Sequence, residues 1–107
     1  MLEEVTPAEV HRRLGEADPP LLVDVRTDAE RATARIEPSL HIGLHEFLER
    51  APREIPRDAD VVVYCHSGAR SAQVTMWMTA NGWAKVRNLE GGIDAWSIDV
   101  DPDVPRY

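Results

Sequence analysis

The stretch Val61-Val62-Val63-Tyr64 runs straight into Cys65-His66-Ser67-Gly68-Ala69-Arg70-Ser71 and then into a helical pattern, and this junction limits the fold more than any other feature. A β-branched run with no polar alternation suits a strand buried on both faces, which requires a parallel sheet covered by helices on each side. Leu21-Leu22-Val23-Asp24-Val25 is a second run of the same kind. Helical segments fall between and around the strands. Thr6-Pro7-Ala8-Glu9 has capping-box spacing with proline at the first helical position, and Val10 and Leu14 carry the stripe to Gly15. Thr27-Asp28-Ala29-Glu30 repeats the capping-box spacing and predicts a short helix through about Ala34.

Leu40-His41-Ile42 is a small strand candidate. Leu44, Phe47, Leu48 and Ala51 then recur at helical spacing, with Pro52 and Pro56 expected to bound that helix. The helix after the cysteine loop is predicted to start at Ser71 and end at Asn81-Gly82. Lys85 to Leu89 reads as an edge-like strand, Gly91-Gly92 leads into a last helix carrying Ile93 and Trp96, and the tail Asp99 to Tyr107, with two prolines, is expected to lie extended across the surface. Strands alternating with helices at this spacing define an α/β fold with a parallel sheet and helices on both faces. With 107 residues the chain reads as a single domain over 1–107.

Charge narrows the partners. Twelve Lys plus Arg against nineteen Asp plus Glu leave a net charge of −7, which argues against nucleic acid or anionic membrane, since both need clustered positive charge. No apolar run approaches a spanning helix, and the acidic start is unlike a signal peptide, so a cytoplasmic location is expected. Cys65 is the one cysteine, which excludes an intrachain disulfide and any zinc site needing two cysteines of one chain. His41 and His45 are four apart, but Gly43 and a switch from strand to helix lie between them, so no metal site is expected there. Trp77, Trp83 and Trp96 read as packing residues.

A lone cysteine at a strand end is often a small buried hydrophobe. Here a glycine in mid-loop, an arginine after it and a following helix point instead to a nucleophile. In open parallel sheets ligands bind where strands end and helices begin. Backbone N–H groups at a helix N-terminus favour negative charge on sulfur. A free thiol with pKa about 8.5 is mostly protonated at pH 7, and lowering it by about 2 units, roughly 2.7 kcal/mol, makes it mostly thiolate. Gly68 permits a positive-φ turn and Ala69 adds little bulk, so the loop can curl around the sulfur.

These residues resemble a known family. Cys65-His66-Ser67-Gly68-Ala69-Arg70-Ser71 is similar to the Cys-x-x-Gly-x-Arg-Ser loop of single-domain rhodaneses, Leu22-Val23-Asp24-Val25-Arg26 to their Asp-Val-Arg strand, and Asn88-Leu89-Glu90-Gly91-Gly92-Ile93-Asp94-Ala95-Trp96 to their closing Leu-x-Gly-Gly-x-x-x-Trp stretch. The resemblance implies a rhodanese-like α/β fold with a central parallel sheet of about five strands. It also implies a sulfurtransferase whose cysteine takes sulfane sulfur as a persulfide. The donor is expected to be thiosulfate or a persulfide, the acceptor a thiol, cyanide or a sulfur carrier, and no cofactor is called for. In this reading Cys65 is catalytic. The backbone N–H groups of His66, Ser67, Gly68, Ala69, Arg70 and Ser71 bind the transferred sulfur, Arg70 attracts the anionic donor or orients the loop, and Asp24 and Arg26 brace the site.

One segment departs from the family pattern. Ala34-Arg35-Ile36-Glu37-Pro38-Ser39 stands where rhodaneses usually read Gly-His-Ile-Pro-Gly-Ala, and Arg31 replaces a frequent aromatic. The tail Asp101-Pro102-Asp103-Val104-Pro105-Arg106-Tyr107 resembles the ending of rhodanese domains fused to adenylyltransferases. Three rival readings stand beside sulfur transfer: a phosphatase or an arsenate reductase of related fold, a non-catalytic rhodanese-like module, and a thiol redox sensor, the last disfavoured by the lack of a second cysteine. A tyrosine or dual-specificity phosphatase needs five residues between cysteine and arginine, whereas four separate Cys65 from Arg70. The alternative to an enzyme is a non-catalytic rhodanese-like interaction or regulatory module.

Overall fold

The computed structural model describes residues 2–107. Five strands, β1 (Glu4–Val5), β2 (Leu21–Asp24), β3 (Leu40–His41), β4 (Val61–Tyr64) and β5 (Val86–Leu89), form one sheet in the order β1-β5-β4-β2-β3, and every pair is parallel. Five helices accompany them: α1 (Pro7–Leu14), α2 (Asp28–Thr33), α3 (Leu44–Glu54), α4 (Ala69–Ala80) and α5 (Gly92–Asp99).

The uninterrupted apolar runs are buried on both faces, as strand alternation requires. Val61 and Val63 of β4 point into a core with Phe47 and Ala51 of α3 and Val74 and Met78 of α4. Val62 and Tyr64 point the other way, into a core with Val10 of α1 and Ile93 and Trp96 of α5. Trp83 is fully buried and its indole N–H donates to the Ile55 carbonyl at 3.2 Å, so this large ring leaves no orphaned donor.

Both expected threonine caps start helices, but only Thr27 with Glu30 closes a full capping box, the Glu9 carboxylate being turned to Arg12 instead of back to Thr6. The hydroxyls of Thr6 and Thr27 accept from the backbone N–H of Glu9 and Glu30 respectively, each at 3.2 Å. Helix α2 has no buried residue, so its caps and the polar contacts described below hold it.

The structure corrects four expectations. Residues 85–89 do not form a sheet edge: β5 lies between β4 and β1, because a two-residue strand at Glu4–Val5, too short for any periodic signal, pairs outside it. Helix α4 begins at Ala69 rather than Ser71, with Gly68 as its N-cap, which places Arg70 within the first turn. Pro52 sits inside the last turn of α3 instead of ending it, and the chain turns only at Ile55, whose N–H donates to the Ala51 carbonyl at 2.9 Å. The tail does more than cover the surface: past a turn at residues 102–103 it carries Tyr107 to the cysteine loop. Among the described residues no helix is long and apolar enough to cross a membrane.

Candidate active site

Cys65 leaves the carboxyl end of β4, flanked by the ends of β2 and β5. The loop that follows closes over it, leaving the residue 1% exposed. Gly68 adopts φ 106°, a conformation that side chains rarely tolerate, and this turn directs its own amide back at the sulfur. Sγ accepts from the Gly68 amide at 3.2 Å, the Ser71 amide at 3.4 Å and the Ser71 hydroxyl at 3.3 Å. The direct bonds to sulfur therefore come from Gly68 and Ser71, and not from His66, Ser67 or Ala69.

The loop is pinned from below. The carbonyls of Cys65 and His66 accept from the amides of Ile93 and Asp94 at 2.9 and 3.1 Å. At Gly92, with φ 62°, a Cβ would collide with the carbonyl oxygens of both residues, so only glycine lets α5 approach this closely. Asn88 donates to the Gly68 carbonyl at 3.1 Å and to the Glu4 carboxylate at 3.0 Å, and its Oδ1 accepts from the Ser71 hydroxyl at 2.5 Å. Ser71 has one hydroxyl proton and two acceptors in reach, so Asn88 competes with Sγ for it.

Burial pushes the Cys65 thiol up, but the Ser71 hydroxyl and the amides of Ser71, Gly68 and Arg70 outweigh it and hold the pKa below the ordinary thiol value. At any given pH near the titration the thiolate fraction is thereby raised above that of an unperturbed cysteine. The difference in ultraviolet thiolate absorbance between the wild type and Cys65→Ser, followed against pH, is expected to show a midpoint below that of the same thiol in the denatured chain. A midpoint at or above the denatured value would contradict this reading of the loop.

Arg70 does not stand free at the mouth. Its two terminal nitrogens donate to Oε1 and Oε2 of Glu30 at 2.7 and 2.8 Å, a bidentate pair between the first turns of α4 and α2. The Arg70 pair first, with the Tyr107 hydroxyl and the Thr27 amide, holds the Glu30 carboxyl well below the usual carboxylate range against the cost of burial. The Tyr107 hydroxyl donates to Glu30 Oε2 and accepts from Arg26 Nη1 at 2.8 and 2.9 Å, while its ring stacks on His66 with centroids 4.2 Å apart.

Beneath this layer Asp24 and Arg26, both with fully buried side chains, make a two-pronged pair at 2.8 and 2.9 Å. Arg26 also donates to the carbonyls of Ala34 and Glu30, and Arg31 reaches Asp24 Oδ2 at 3.1 Å and the Ser39 carbonyl at 3.0 Å. The atypical Arg31 and Ser39 are thus tied to the same carboxylate system. His41 turns to the Arg26 carbonyl at 2.7 Å while His45 is exposed on α3, so the two histidines lie on different elements.

Three residues of this site were not singled out as such from the sequence. Glu30 was legible only as a helix cap, Asn88 only as part of the closing stretch, and Tyr107 only as a tail residue. Each gains its role through a partner at least 17 residues away.

A strand–loop–helix cradle of backbone amides around a single cysteine, at the carboxyl edge of a parallel sheet, defines a class of thiol-bearing α/β domains. The family model for the rhodanese-like domain matches residues 6–99, and the chain belongs to that family. It is 42% identical over 97 residues to a protein of Allochromatium vinosum named sulfurtransferase, covering 91% of this chain and 90% of that one. It is 32% identical to adenylyltransferase and sulfurtransferase MOCS3-2 of Zea mays, over 96% of this chain but only 23% of that longer protein. Among solved structures, a rhodanese-like domain protein from Staphylococcus aureus superposes with a TM-score of 0.85 at 29% identity, covering 99% of both chains.

Proposed function

We propose that the protein is a sulfurtransferase of the rhodanese type that carries sulfane sulfur as a persulfide on Cys65. The observation that carries this reading is the Sγ of Cys65 held by the amides of Gly68 and Ser71 at the start of α4. Family membership and the sulfurtransferase of Allochromatium vinosum support the same assignment.

The Cys65 thiolate attacks the outer sulfur of a donor. With thiosulfate the new bond joins Sγ to that sulfur, the sulfur–sulfur bond of the donor breaks, and sulfite leaves with the electron pair. With a thiol persulfide the leaving group is the thiolate. The negative charge on the terminal sulfur then meets the loop N–H groups of residues 66–71, as an oxyanion meets its hole. Cys65 is the only cysteine, so no resolving thiol follows. The persulfide is discharged by an outside nucleophile: cyanide, a thiol or a sulfur carrier takes the outer sulfur and Cys65 returns as thiolate. The four-residue spacing from Cys65 to Arg70 makes a cradle narrower than a tetrahedral oxyanion needs, which favours sulfur transfer over phosphate chemistry.

Intact mass after incubation with thiosulfate and with a thiol persulfide, before and after cyanide, tests the proposal. The expected result is a gain of one sulfur atom that cyanide removes as thiocyanate. A chain that stays unmodified with both donors would sink the catalytic reading and leave a binding module.

A further inference from the structure

Resting on the sulfurtransferase reading, we propose that Glu30 is a specificity-determining residue. It acts through Arg70 as a built-in counter-anion that makes the mouth of the site discriminate against multiply charged donors and in favour of persulfides.

The argument starts from the cations around the loop. Arg26 and Arg31 are both committed to Asp24, Arg106 to Asp94, and Arg70 to Glu30. Each of these arginines is thus paired, Arg26 and Arg31 sharing one carboxylate while Arg70 has Glu30 to itself. Arg70 is the one of these that the loop itself carries, at the first turn of α4, and the Cys65 charge acts on it. In a chain of net charge −7, a cation meant to collect free anions would be left uncompensated.

Glu30 compensates it fully and is itself held in place from four sides. Thr27 donates its amide to Oε1, Arg70 grips both oxygens, the Tyr107 hydroxyl donates to Oε2, and the helix turn fixes the backbone. Tyr107 in turn is anchored by Arg26 and stacked on His66. An arriving dianion such as thiosulfate therefore meets a neutral, rigid pair, and any contact with Arg70 brings it against the Glu30 carboxylate. A persulfide of a neutral thiol carries at most one negative charge and can take its binding energy from its organic part and from the loop amides.

Three proteins test this by stepping the charge at one place: Glu30→Gln (mouth +1), wild type (0) and Arg70→Gln (−1). Glutamine is accepted at the third position of a capping box, so Glu30→Gln keeps the start of α2. The readout is the ratio of kcat/KM for thiosulfate to kcat/KM for 2-mercaptoethanol persulfide, with cyanide as common acceptor. That ratio is expected to rise roughly tenfold in Glu30→Gln and fall roughly tenfold in Arg70→Gln, mainly through KM for thiosulfate. A merely structural role would lower both donors together and leave the ratio in place. If the three proteins gain sulfur but their ratios agree, the assignment of Glu30 is overturned while sulfur transfer stands. If wild type gains sulfur from neither donor, sulfur transfer falls first and this inference with it.

Discussion

Cys65→Ser is expected to lose sulfur transfer by on the order of 10³-fold or more while keeping the fold. A serine hydroxyl accepts from the same Gly68 and Ser71 amides that now reach Sγ, so the loop retains its partners. A hydroxyl is far less acidic than a thiol, and the cradle that suffices to favour a thiolate cannot ionise an alcohol near neutral pH. Nor could an oxygen pass sulfur on as a persulfide. The check is the rate of thiocyanate formation from thiosulfate and cyanide, alongside near- and far-ultraviolet circular dichroism. A folded variant with more than residual turnover would show that the sulfur does not travel through this residue.

The second large effect concerns stability. Asp24→Asn is expected to destabilise the protein by about 3–5 kcal/mol, measured by urea denaturation, because it strips the counter-charge from Arg26, a guanidinium with no exposed surface, and from Arg31. Burial pushes the Asp24 carboxyl up, but Arg26 outweighs it, so the folded pKa lies below the ordinary value. A carboxylate with a lowered folded pKa stabilises the fold fully above its unfolded pKa, about 3.9, and loses that contribution as pH falls through the folded value. The gap between wild type and Asp24→Asn is therefore widest at neutral pH and closes only in acid below about pH 4. A gap that is constant with pH, or absent, would mean the pair contributes nothing as an ion pair.

What the sequence revealed followed how local the signals are. Val61 to Arg70 announced strand, turn and helix start because apolar run, cysteine, glycine and arginine are consecutive, and the structure builds strand, turn and helix as one continuous unit. The threonine caps at Thr6 and Thr27 were equally legible, since a cap and its partner lie three residues apart. Proline misled at Pro52, because a ring in the last turn need not end a helix whose remaining residues can still close. The edge at Glu4–Val5 left no mark at all. Two residues carry no period, and they become a strand only because β5 offers an unpaired side.

The electrostatic half of the site was the least visible. Arg70 as an anion collector follows from the loop motif alone, whereas its pairing with Glu30 joins residues 40 positions apart. Tyr107 sits 77 residues from Glu30 and 81 from Arg26, so its place between them comes from the tertiary path of the tail.

Asn88 gives that path a dynamic meaning. One side chain joins the outermost strand, through Glu4, to both Gly68 and Ser71 at the sulfur. A two-residue border strand is the part of a sheet that opens most readily in local fluctuations, long before the molecule unfolds as a whole. Such an opening would free Asn88 from Glu4 and loosen its hold on the loop, so the acidity of the thiol is expected to average over closed and frayed forms. Hydrogen exchange at Val5 and the reactivity of Cys65 are therefore expected to be linked through β1, β5 and the start of α4.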